Sequence, residues 1–565
     1  MSKTISIGNE HFSLIREKNN FYIDKTSFIK EWWENDDIVT LITRPRRFGK
    51  TLNMSMLNCF FSNKYKNRGD LFEGLEIWND KKYRTIQGTY PVIFFSFAEI
   101  KTKDFKTTKE QICFQIVKIY NENDYLYNSG ILTENEKKFF KSISLDMSDA
   151  ILSVALNQMC CFLQRYYGKR VIVLLDEYDT PMQEAYVNGY WEELVAFTRS
   201  LFNSTFKTNP YLERAIMTGI TRVSKESIFS DLNNLKVVTV TSKEYAKCFG
   251  FTEKEVFMSL DEEGLSTEKE KVKAWYDGFT FGESKDIYNP WSITNFLDEK
   301  RYKTYWAATS SNSLVSKLIQ TGSVNVKKTM EDLLEGKSIN IELDEQIVFD
   351  QLNGSSEAIW SLLLASGYLK VDYVDFTNPE GKNIYALSLT NFEVKKMFEN
   401  MIKDWFRTRD DSSNEFVKAL IDGDLDAMNY YMNEVTNNIF SFFDVSGKEE
   451  SRIRPENFYH GFTLGLMVNQ SDNYIITSNR ESGFGRYDIL LEPIDKNNLK
   501  YPGIIIEFKV LNAKNENSLE QTVKAALNQI DKKKYDAELI NRGVKKENIR
   551  HYGFAFKGKE VLIGN

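Results

Sequence analysis

A basic segment ending in Gly49-Lys50-Thr51 carries the residue types that bind phosphate. An apolar run at 38–43 precedes it and a helix is predicted at 51–61, so the segment is a strand–loop–helix unit. In such a unit, loop N–H groups and the helix N-terminus point at phosphate oxygens. Lys50 would add a positive charge for the β- and γ-phosphates, and the Thr51 hydroxyl would bind Mg²⁺. The residues predicted to contact the nucleotide are Arg46, Arg47, Phe48, Gly49, Lys50 and Thr51.

The loop departs from the usual glycine-rich pattern at its start. The full motif has a glycine five residues before Gly49, where this chain has Arg44, and the next residue is Pro45, which has no N–H to donate. Because Gly-Lys-Thr triplets also occur by chance, the alternative is an ordinary strand and helix joined by a basic turn. Whether ATP is hydrolysed or only bound is left open by this departure.

Two carboxylates follow a second apolar run. Residues 171–175 are all aliphatic, and Asp176 and Glu177 come next. This pattern predicts a central parallel strand with acids at its carboxyl end, where open α/β sheets bind ligands. Asp176 would hold Mg²⁺, directly or through water, and Glu177 would polarise the attacking water. The alternative is a buried strand followed by an acidic turn.

A third predicted strand, 214–223, ends in polar residues that could sense the γ-phosphate. Thr221 and Arg222 are therefore assigned to the nucleotide site. Arg222 could act in its own site, act in the site of a neighbouring copy, or cap the strand. A homo-oligomer is thus one of the arrangements that the sequence leaves open.

The C-terminal part carries a second group of residues with metal chemistry. Asp488 lies beside one apolar stretch, and Glu507 and Lys509 lie on the next one. Adjacent strands would bring the three together, and Glu507 and Lys509 share one strand face because side chains alternate. The carboxylates would hold Mg²⁺, or Mn²⁺, which activates water, while the lysine stabilises the transition state at a phosphate. This chemistry is cleavage of nucleic acid, with DNA as the expected substrate, although Glu-x-Lys pairs also occur on ordinary edge strands.

These motifs resemble two known families. Residues 44–51, 175–179 and 219–235 resemble the bacterial AAA-ATPase-like family, in which the loop without its first glycine is the usual form. Residues 453–563 resemble the PD-(D/E)xK nuclease superfamily, found as a C-terminal domain behind these ATPases. The resemblance implies ATP and Mg²⁺ as cofactors. It also assigns Glu456 as an accessory acid at the metal and Gln529 as a polar group facing the nuclease site. A nuclease fold kept only for binding or packing is the alternative.

The order of strands and helices that must position these residues predicts the fold. Their alternation up to residue 242 indicates a parallel α/β sheet with right-handed crossovers. Short helices beyond it, with a turn at 277–282, resemble the helical lid of an AAA-type core, and 355–406 suggests a winged-helix-like region. The predicted fold class is α/β, with a P-loop NTPase core, a lid, a winged-helix-like middle and a PD-(D/E)xK nuclease-like domain. The predicted domains are residues 1–242, 243–343, 344–444 and 452–565.

Composition indicates a globular protein of the cytoplasm. The 565 residues are 42% hydrophobic and 14% aromatic, and neither a membrane span nor a signal peptide is predicted. Five cysteines and three histidines lack metal-ligand spacing. The net charge is −7, but residues 452–565 hold 18 Lys and Arg against 14 Asp and Glu. That excess suits a nucleic-acid partner, and a solvated surface explains it equally well.

Together the two groups of residues predict an ATP-binding protein, with ATP hydrolysis expected, coupled to a Mg²⁺-dependent nuclease. The rival prediction is a non-catalytic ATP-dependent switch or scaffold. In that case the nuclease-like domain would only bind nucleic acid or a protein partner.

Overall fold

The chain forms two compact units in the computed structural model. The first contains residues 1–311 and 338–395, and the second contains residues 312–337 and 396–565. Across the described ranges, no helix combines the length and apolar character that a bilayer span requires. The bounds of the four predicted domains stay predictions. The described residues are 3–221, 229, 232–307, 313–343, 356–375, 383–405, 412–433, 465, 470–478, 481–482, 485–486, 488–511, 516–557 and 560–565.

A five-stranded parallel sheet forms the centre of the first unit, as predicted. Its order is β2-β3-β4-β1-β5. Because the strands are parallel, the carboxyl ends of the two motif strands, β1 and β3, lie at the same edge of the sheet, with β4 between them. Every residue of β1 and β3 is buried, as expected for strands covered on both faces. The strand β5 was not among the predicted strands. The strands are β1 (Val39–Thr43), β2 (Val92–Ser96), β3 (Val171–Asp176), β4 (Leu212–Gly219) and β5 (Leu235–Val238).

Helices alternate with these strands along the chain. The helix after the basic loop begins at Lys50, directly after Gly49, which has a left-handed backbone (φ 76°) that glycine adopts without strain. Its apolar side chains share a core with Phe12 and Trp32. The helices are α1 (Phe12–Glu17), α2 (Ser27–Asn35), α3 (Lys50–Phe61), α4 (Lys81–Ile86), α5 (Phe105–Asn121), α6 (Glu134–Ser142), α7 (Asp149–Tyr167), α8 (Thr180–Asn188) and α9 (Trp191–Phe202).

A small antiparallel sheet lies among the helices that follow. The prediction of a turn at 277–282 is wrong, because Phe279–Phe281 is a strand paired with the next one. Both phenylalanines are buried, and their rings pack against Phe48, at centroid distances of 4.7 Å and 5.2 Å. This packing outweighs the turn signal of the flanking glycines. The elements are β6 (Phe251–Thr252), α10 (Glu253–Glu262), α11 (Lys269–Tyr276), β7 (Phe279–Phe281), β8 (Ser284–Tyr288) and α12 (Pro290–Glu299).

The middle of the chain contains the predicted hairpin between two helices. Its strands, β10 and β11, pair antiparallel, and β9, which was not among the predicted strands, pairs with β11. The winged-helix-like interpretation stays a prediction. The elements are α13 (Ser313–Thr321), α14 (Val324–Leu334), β9 (Ile339–Glu342), α15 (Ser356–Ala365), β10 (Leu369–Asp375), β11 (Ile384–Leu389) and α16 (Phe392–Trp405).

A five-stranded mixed sheet forms the centre of the second unit. Its order is β12-β15-β16-β17-β18, with β16 and β17 parallel and the other pairs antiparallel. The first of the two helices at the end of the chain packs on β16, β17 and β18. The elements are α17 (Ser412–Asp422), β12 (Tyr474–Ser478), β13 (Glu481–Ser482), β14 (Gly485–Arg486), β15 (Ile489–Pro493), β16 (Gly503–Val510), α18 (Leu519–Lys533), α19 (Asp536–Asn541), β17 (Ile549–Lys557) and β18 (Glu560–Gly564).

Two asparagine side chains extend the hydrogen bonding of this sheet beyond β18. Helical residues 425–433 carry Asn429 and Asn433 one turn apart. The Asn429 amide donates to the Ile563 carbonyl at 2.9 Å and accepts from the Ile563 N–H at 2.7 Å. Asn433 makes the same two bonds with Val561, at 2.9 Å and 3.0 Å. Because a primary amide offers the donor and acceptor of a peptide, the pair takes the place of a further strand.

Candidate nucleotide and metal sites

A cavity of about 1180 Å³ lies at the carboxyl edge of the parallel sheet. Residues 46–51 line it on the loop side, and Asp176 and Glu177 line it at the end of β3. This is the edge at which open α/β sheets bind ligands. The structure therefore brings loop residues 46–51 and the acids Asp176 and Glu177 to one cavity.

Asp176 is the fully buried centre of a small hydrogen-bond network. The Thr51 hydroxyl donates to its Oδ2 at 2.7 Å, and the Thr218 hydroxyl donates to its Oδ1. Burial raises the pKa of Asp176, and the two hydroxyl donors oppose that shift. A hydroxyl and a carboxylate oxygen thus lie side by side, as a Mg²⁺ site requires. No motif identifies Thr218, because it lies on the predicted third strand but upstream of the polar end of that strand.

The Lys50 ammonium is buried within its own loop. Its Nζ donates to the carbonyl oxygens of Arg44 at 3.0 Å and Pro45 at 2.9 Å. Burial lowers the pKa of Lys50, while the carboxylates of Glu177 and Asp176 oppose the change. Lys50 therefore lies close both to carbonyls of its own loop and to the acidic side chains of Glu177 and Asp176.

Arg44, which stands where the usual motif has glycine, anchors the loop to the end of β5. Its fully buried guanidinium donates to the carbonyls of Thr43 at 2.9 Å, Thr239 at 2.6 Å and Glu244 at 3.2 Å. It also lies 4.8 Å from the ring centre of Phe281, a cation–π distance. Burial lowers the pKa of Arg44 to about 10. A glycine could make none of these side-chain contacts, so the departure from the motif has a structural role here.

The side chains of Phe48 and Arg47 contact other residues of the protein. The Phe48 side chain is buried against β7, and the Arg47 guanidinium lies 4.5 Å from the ring centre of Trp291. Arg47 is also 3.6 Å from a Glu10 carboxylate oxygen. Both residues line the cavity. Their predicted contact with the nucleotide stays a prediction.

The backbone of Arg46 is held by side chains more than 240 residues away. Its carbonyl accepts from Trp306 Nε1 at 3.0 Å and from Asn289 Nδ2 at 3.3 Å. The backbone N–H of Trp306 in turn donates to Glu393 at 2.6 Å, and the Ser292 hydroxyl donates to the same carboxylate at 2.8 Å. Burial raises the pKa of Glu393 to about 7. No local sequence pattern could have identified this support, because its members come from distant elements.

Glu177 and Thr221 differ in their relation to the cavity. Glu177 lines it with a left-handed backbone (φ 51°), and its Oε2 accepts from the Thr180 hydroxyl at 3.1 Å. The Thr221 hydroxyl donates to Asp179 at 2.9 Å, and Thr221 does not line the cavity. Arg222 lies outside the described residues.

Asp488 and Glu507 come together on neighbouring strands of the second unit. Asp488 directly precedes β15, and its Oδ2 accepts from the backbone N–H of Phe508 at 2.8 Å. Glu507 lies on the adjacent β16 and is 3% exposed. Burial and the nearby Asp488 carboxylate raise the pKa of Glu507 to about 8. The two strands therefore bring these two residues together, and their predicted roles at a metal stay predictions.

Gln529 of α18 joins Glu507 to Lys509. Its amide nitrogen donates to Glu507 Oε1, and its amide oxygen accepts from Lys509 Nζ at 2.8 Å. Within the described part of the chain, the buried Glu507 Oε2 has no hydrogen-bond partner. Because buried polar atoms are normally paired, a bare carboxylate oxygen beside Asp488 fits a divalent-metal ligand. Glu456 lies outside the described residues.

A further acidic cluster lies in the first unit. Single carboxylate oxygens of Glu253, Asp277 and Asp286 lie within 4.8 Å of one another. The Lys273 ammonium donates to Glu253 and lies 3.9 Å from Asp286. Burial and the hydrogen-bonded Asp286 carboxylate raise the pKa of Asp277 to about 7.

This pKa predicts a pH-dependent effect of Asp277→Asn on stability. Between about pH 4 and 7 the folded wild type retains a proton that the unfolded chain releases, so its stability falls as pH rises. Asparagine removes that dependence. The free energy of unfolding of the variant, relative to that of the wild type, should therefore rise by about 1 kcal/mol between pH 5 and pH 8. This value is reduced because Asp277 is partly exposed. Thermal unfolding at both pH values measures the gain, and a constant difference in Tm would contradict the prediction. The control Asp261→Asn removes an acid whose pKa is lowered by Lys269, so it should not gain with rising pH.

Two family models and one relative match this chain. Residues 6–229 match the family described as Predicted AAA-ATPase, and residues 454–565 match the PD-(D/E)XK nuclease superfamily. An uncharacterized protein in the vnfD 5′ region of Azotobacter chroococcum mcd 1 is 26% identical over 400 residues. The match covers 70% of this chain and 68% of that protein. The two resemblances predicted from motifs are therefore confirmed.

Proposed function

We propose that this chain, which joins an AAA-ATPase-like domain to a PD-(D/E)XK nuclease superfamily domain, couples ATP binding and hydrolysis to Mg²⁺-dependent cleavage of nucleic acid. DNA is the expected substrate and the cytoplasm the expected location. The observation that carries the proposal is the buried Glu507 carboxylate, which keeps one oxygen bare next to Asp488. A buried acid and a half-buried acid that repel each other lower stability unless a cation joins them.

At the nuclease site, Asp488 and Glu507 would hold Mg²⁺, and Mn²⁺ could replace it. A bound divalent ion supplies a Lewis acid and an activated water for phosphodiester hydrolysis. Gln529 orients both neighbours, since its amide donates to Glu507 and accepts from Lys509. Lys509 would thereby keep its ammonium directed at the phosphate and stabilise the negative charge that develops there.

At the nucleotide site, residues of the loop and residues at the end of β3 would have different roles. Lys50 would exchange its two loop carbonyls for phosphate oxygens, and Thr51 with Asp176 would hold Mg²⁺. Glu177 lines the same cavity and would orient the attacking water. Arg46 would add positive charge at the cavity wall.

A second candidate is the non-catalytic ATP-dependent switch or scaffold. It is favoured by Lys50, whose ammonium is satisfied by carbonyls of its own loop. In that case ATP would bind without turnover, and the nuclease-like domain would bind nucleic acid or a protein without cutting.

The test is incubation of the full chain with supercoiled, linear duplex and single-stranded DNA and with RNA. Each substrate is tested with Mg²⁺ or Mn²⁺, with and without ATP, and beside the double variant Glu507→Ala/Lys509→Ala. Cutting that depends on metal and is absent in the double variant supports the nuclease, and a change on adding ATP supports the coupling. A folded protein that cuts none of these substrates would favour the scaffold.

A further inference from the structure

Gln183 of α8 joins the basic loop to a buried carboxylate. Its Oε1 accepts from Arg46 Nη2 at 3.3 Å, and its Nε2 donates to Asp179 Oδ2 at 3.1 Å. A guanidinium can only donate and a carboxylate can only accept. Only one orientation of the Gln183 amide therefore satisfies both neighbours.

Asp179 is itself fixed by the chain that follows β4. The carboxylate is fully buried, and Oδ2 also accepts from the backbone N–H groups of Ile220 at 3.0 Å and Thr221 at 2.9 Å. The Thr221 hydroxyl adds a fourth bond at 2.9 Å. A Cβ built on Gly219 would lie 2.7 Å from Asp179 Oδ1, so the carboxylate packs closely on that backbone. Asp179 is thus a rigid acceptor for the Gln183 amide.

Arg46, by contrast, is an exposed side chain at a charged site. It lines the cavity together with Gln183, Glu177 and Lys50, and its charge is near enough to act on the pKa of Lys50. Ordering a free arginine side chain costs conformational entropy. Because the Gln183 amide already holds the Arg46 side chain, less conformational entropy is lost when a ligand binds.

We propose that Gln183 is a positioning residue that, oriented by Asp179, holds the Arg46 guanidinium at the cavity wall for contact with a nucleotide phosphate. The inference rests on the proposed hydrolysis of ATP. A cation fixed in advance stabilises charge that develops on the phosphate without reorganising during the reaction. The hydrogen bonds that hold the guanidinium run from the end of β4 through Asp179 and Gln183 to Arg46.

A double-mutant cycle tests the connection. Gln183→Met keeps the length of the side chain and removes the amide, and Arg46→Ala removes the guanidinium. Each single variant should lower kcat for ATP hydrolysis about tenfold, and the double variant should lose no more than either one. The control cycle pairs Gln183→Met with Arg47→Ala, because Arg47 stacks on Trp291 and makes no described bond to Gln183. Losses in the control cycle should multiply.

Two further readouts do not depend on turnover. The affinity for a non-hydrolysable ATP analogue should fall about threefold in Gln183→Met and Arg46→Ala, and no further in the double variant. Hydrogen exchange at the Ile220 and Thr221 amides of the nucleotide-free protein should be unchanged in Gln183→Met, because Asp179 still accepts from both. Faster exchange there would overturn the positioning role, since the substitution would then disturb the end of β4.

The outcomes separate this inference from the proposed function. Wild type that hydrolyses ATP, with losses at Gln183 and Arg46 that multiply to about a hundredfold, would overturn the inference alone. Wild type that neither binds nor hydrolyses ATP would overturn the proposed nucleotide function and this inference with it.

Discussion

Replacing Glu507 with glutamine is expected to lower the rate of metal-dependent cleavage by about 10³-fold, which equals about 4 kcal/mol of transition-state stabilisation. The amide has nearly the shape of the carboxylate but carries no charge to bind a divalent ion. Gln529 can still donate to the remaining oxygen, so the local packing is retained. Cleavage of labelled DNA under single-turnover conditions measures the loss.

The same substitution is expected to leave stability unchanged or to raise Tm. In the wild type, a buried Glu507 oxygen without a hydrogen-bond partner lies near Asp488, and the variant replaces it with an N–H donor. Functional sites often lower stability in this way. The matched control is Glu492→Gln on the neighbouring strand, where Arg542 at 2.7 Å and Lys496 at 3.0 Å pair a buried acid. That variant should lose stability and keep cleavage, and the reverse result for either variant would refute the assignment.

The second large effect is expected at Glu177. Glu177→Gln should lower kcat for ATP hydrolysis by about 10²- to 10³-fold while changing the Kd for ATP less than about threefold, because the residue would act on the attacking water. Glutamine retains an oxygen that can accept from Thr180. Phosphate release and equilibrium binding measure the two quantities separately.

Two comparison variants define this result. Lys50→Ala should weaken binding itself, because the residue would contact phosphate, and Glu192→Gln, an exposed acid on α9, should match the wild type. Equal turnover in the wild type and Glu177→Gln would remove Glu177 from the reaction. Turnover absent from the wild type, with binding intact, would favour the ATP-dependent switch.

Apolar runs and polar residues at their ends were enough to predict the central sheet and both motif strands. The predicted meeting of Asp488 with Glu507 followed from two neighbouring strands whose side chains alternate. In each case the information lies within a few residues of the motif. Such local patterns determine which face and which edge a side chain occupies.

Contacts between distant elements were not predictable from the same patterns. Phe279–Phe281 became a strand because its rings pack on Phe48, far away in sequence. Arg44 was interpreted as a departure from a motif, whereas its guanidinium bonds to three carbonyls, two of them about 200 residues away. No sequence pattern points to Gln183, because its proposed role depends on its contacts with both Arg46 and Asp179.

The asparagine pair beside β18 predicts where an independent fragment with the nuclease-superfamily domain can begin. The family match starts at residue 454, yet Asn429 and Asn433 pair with the backbone of Val561 and Ile563. A fragment starting at residue 452 would expose those peptide groups on an open strand, which is a template for self-association. We expect it to aggregate more than a fragment that also keeps residues 312–337 and 396–451, the rest of the second unit, and size-exclusion chromatography measures the difference. The smallest self-sufficient fragment with the nuclease-superfamily domain thus includes chain that lies well upstream of the matched sequence.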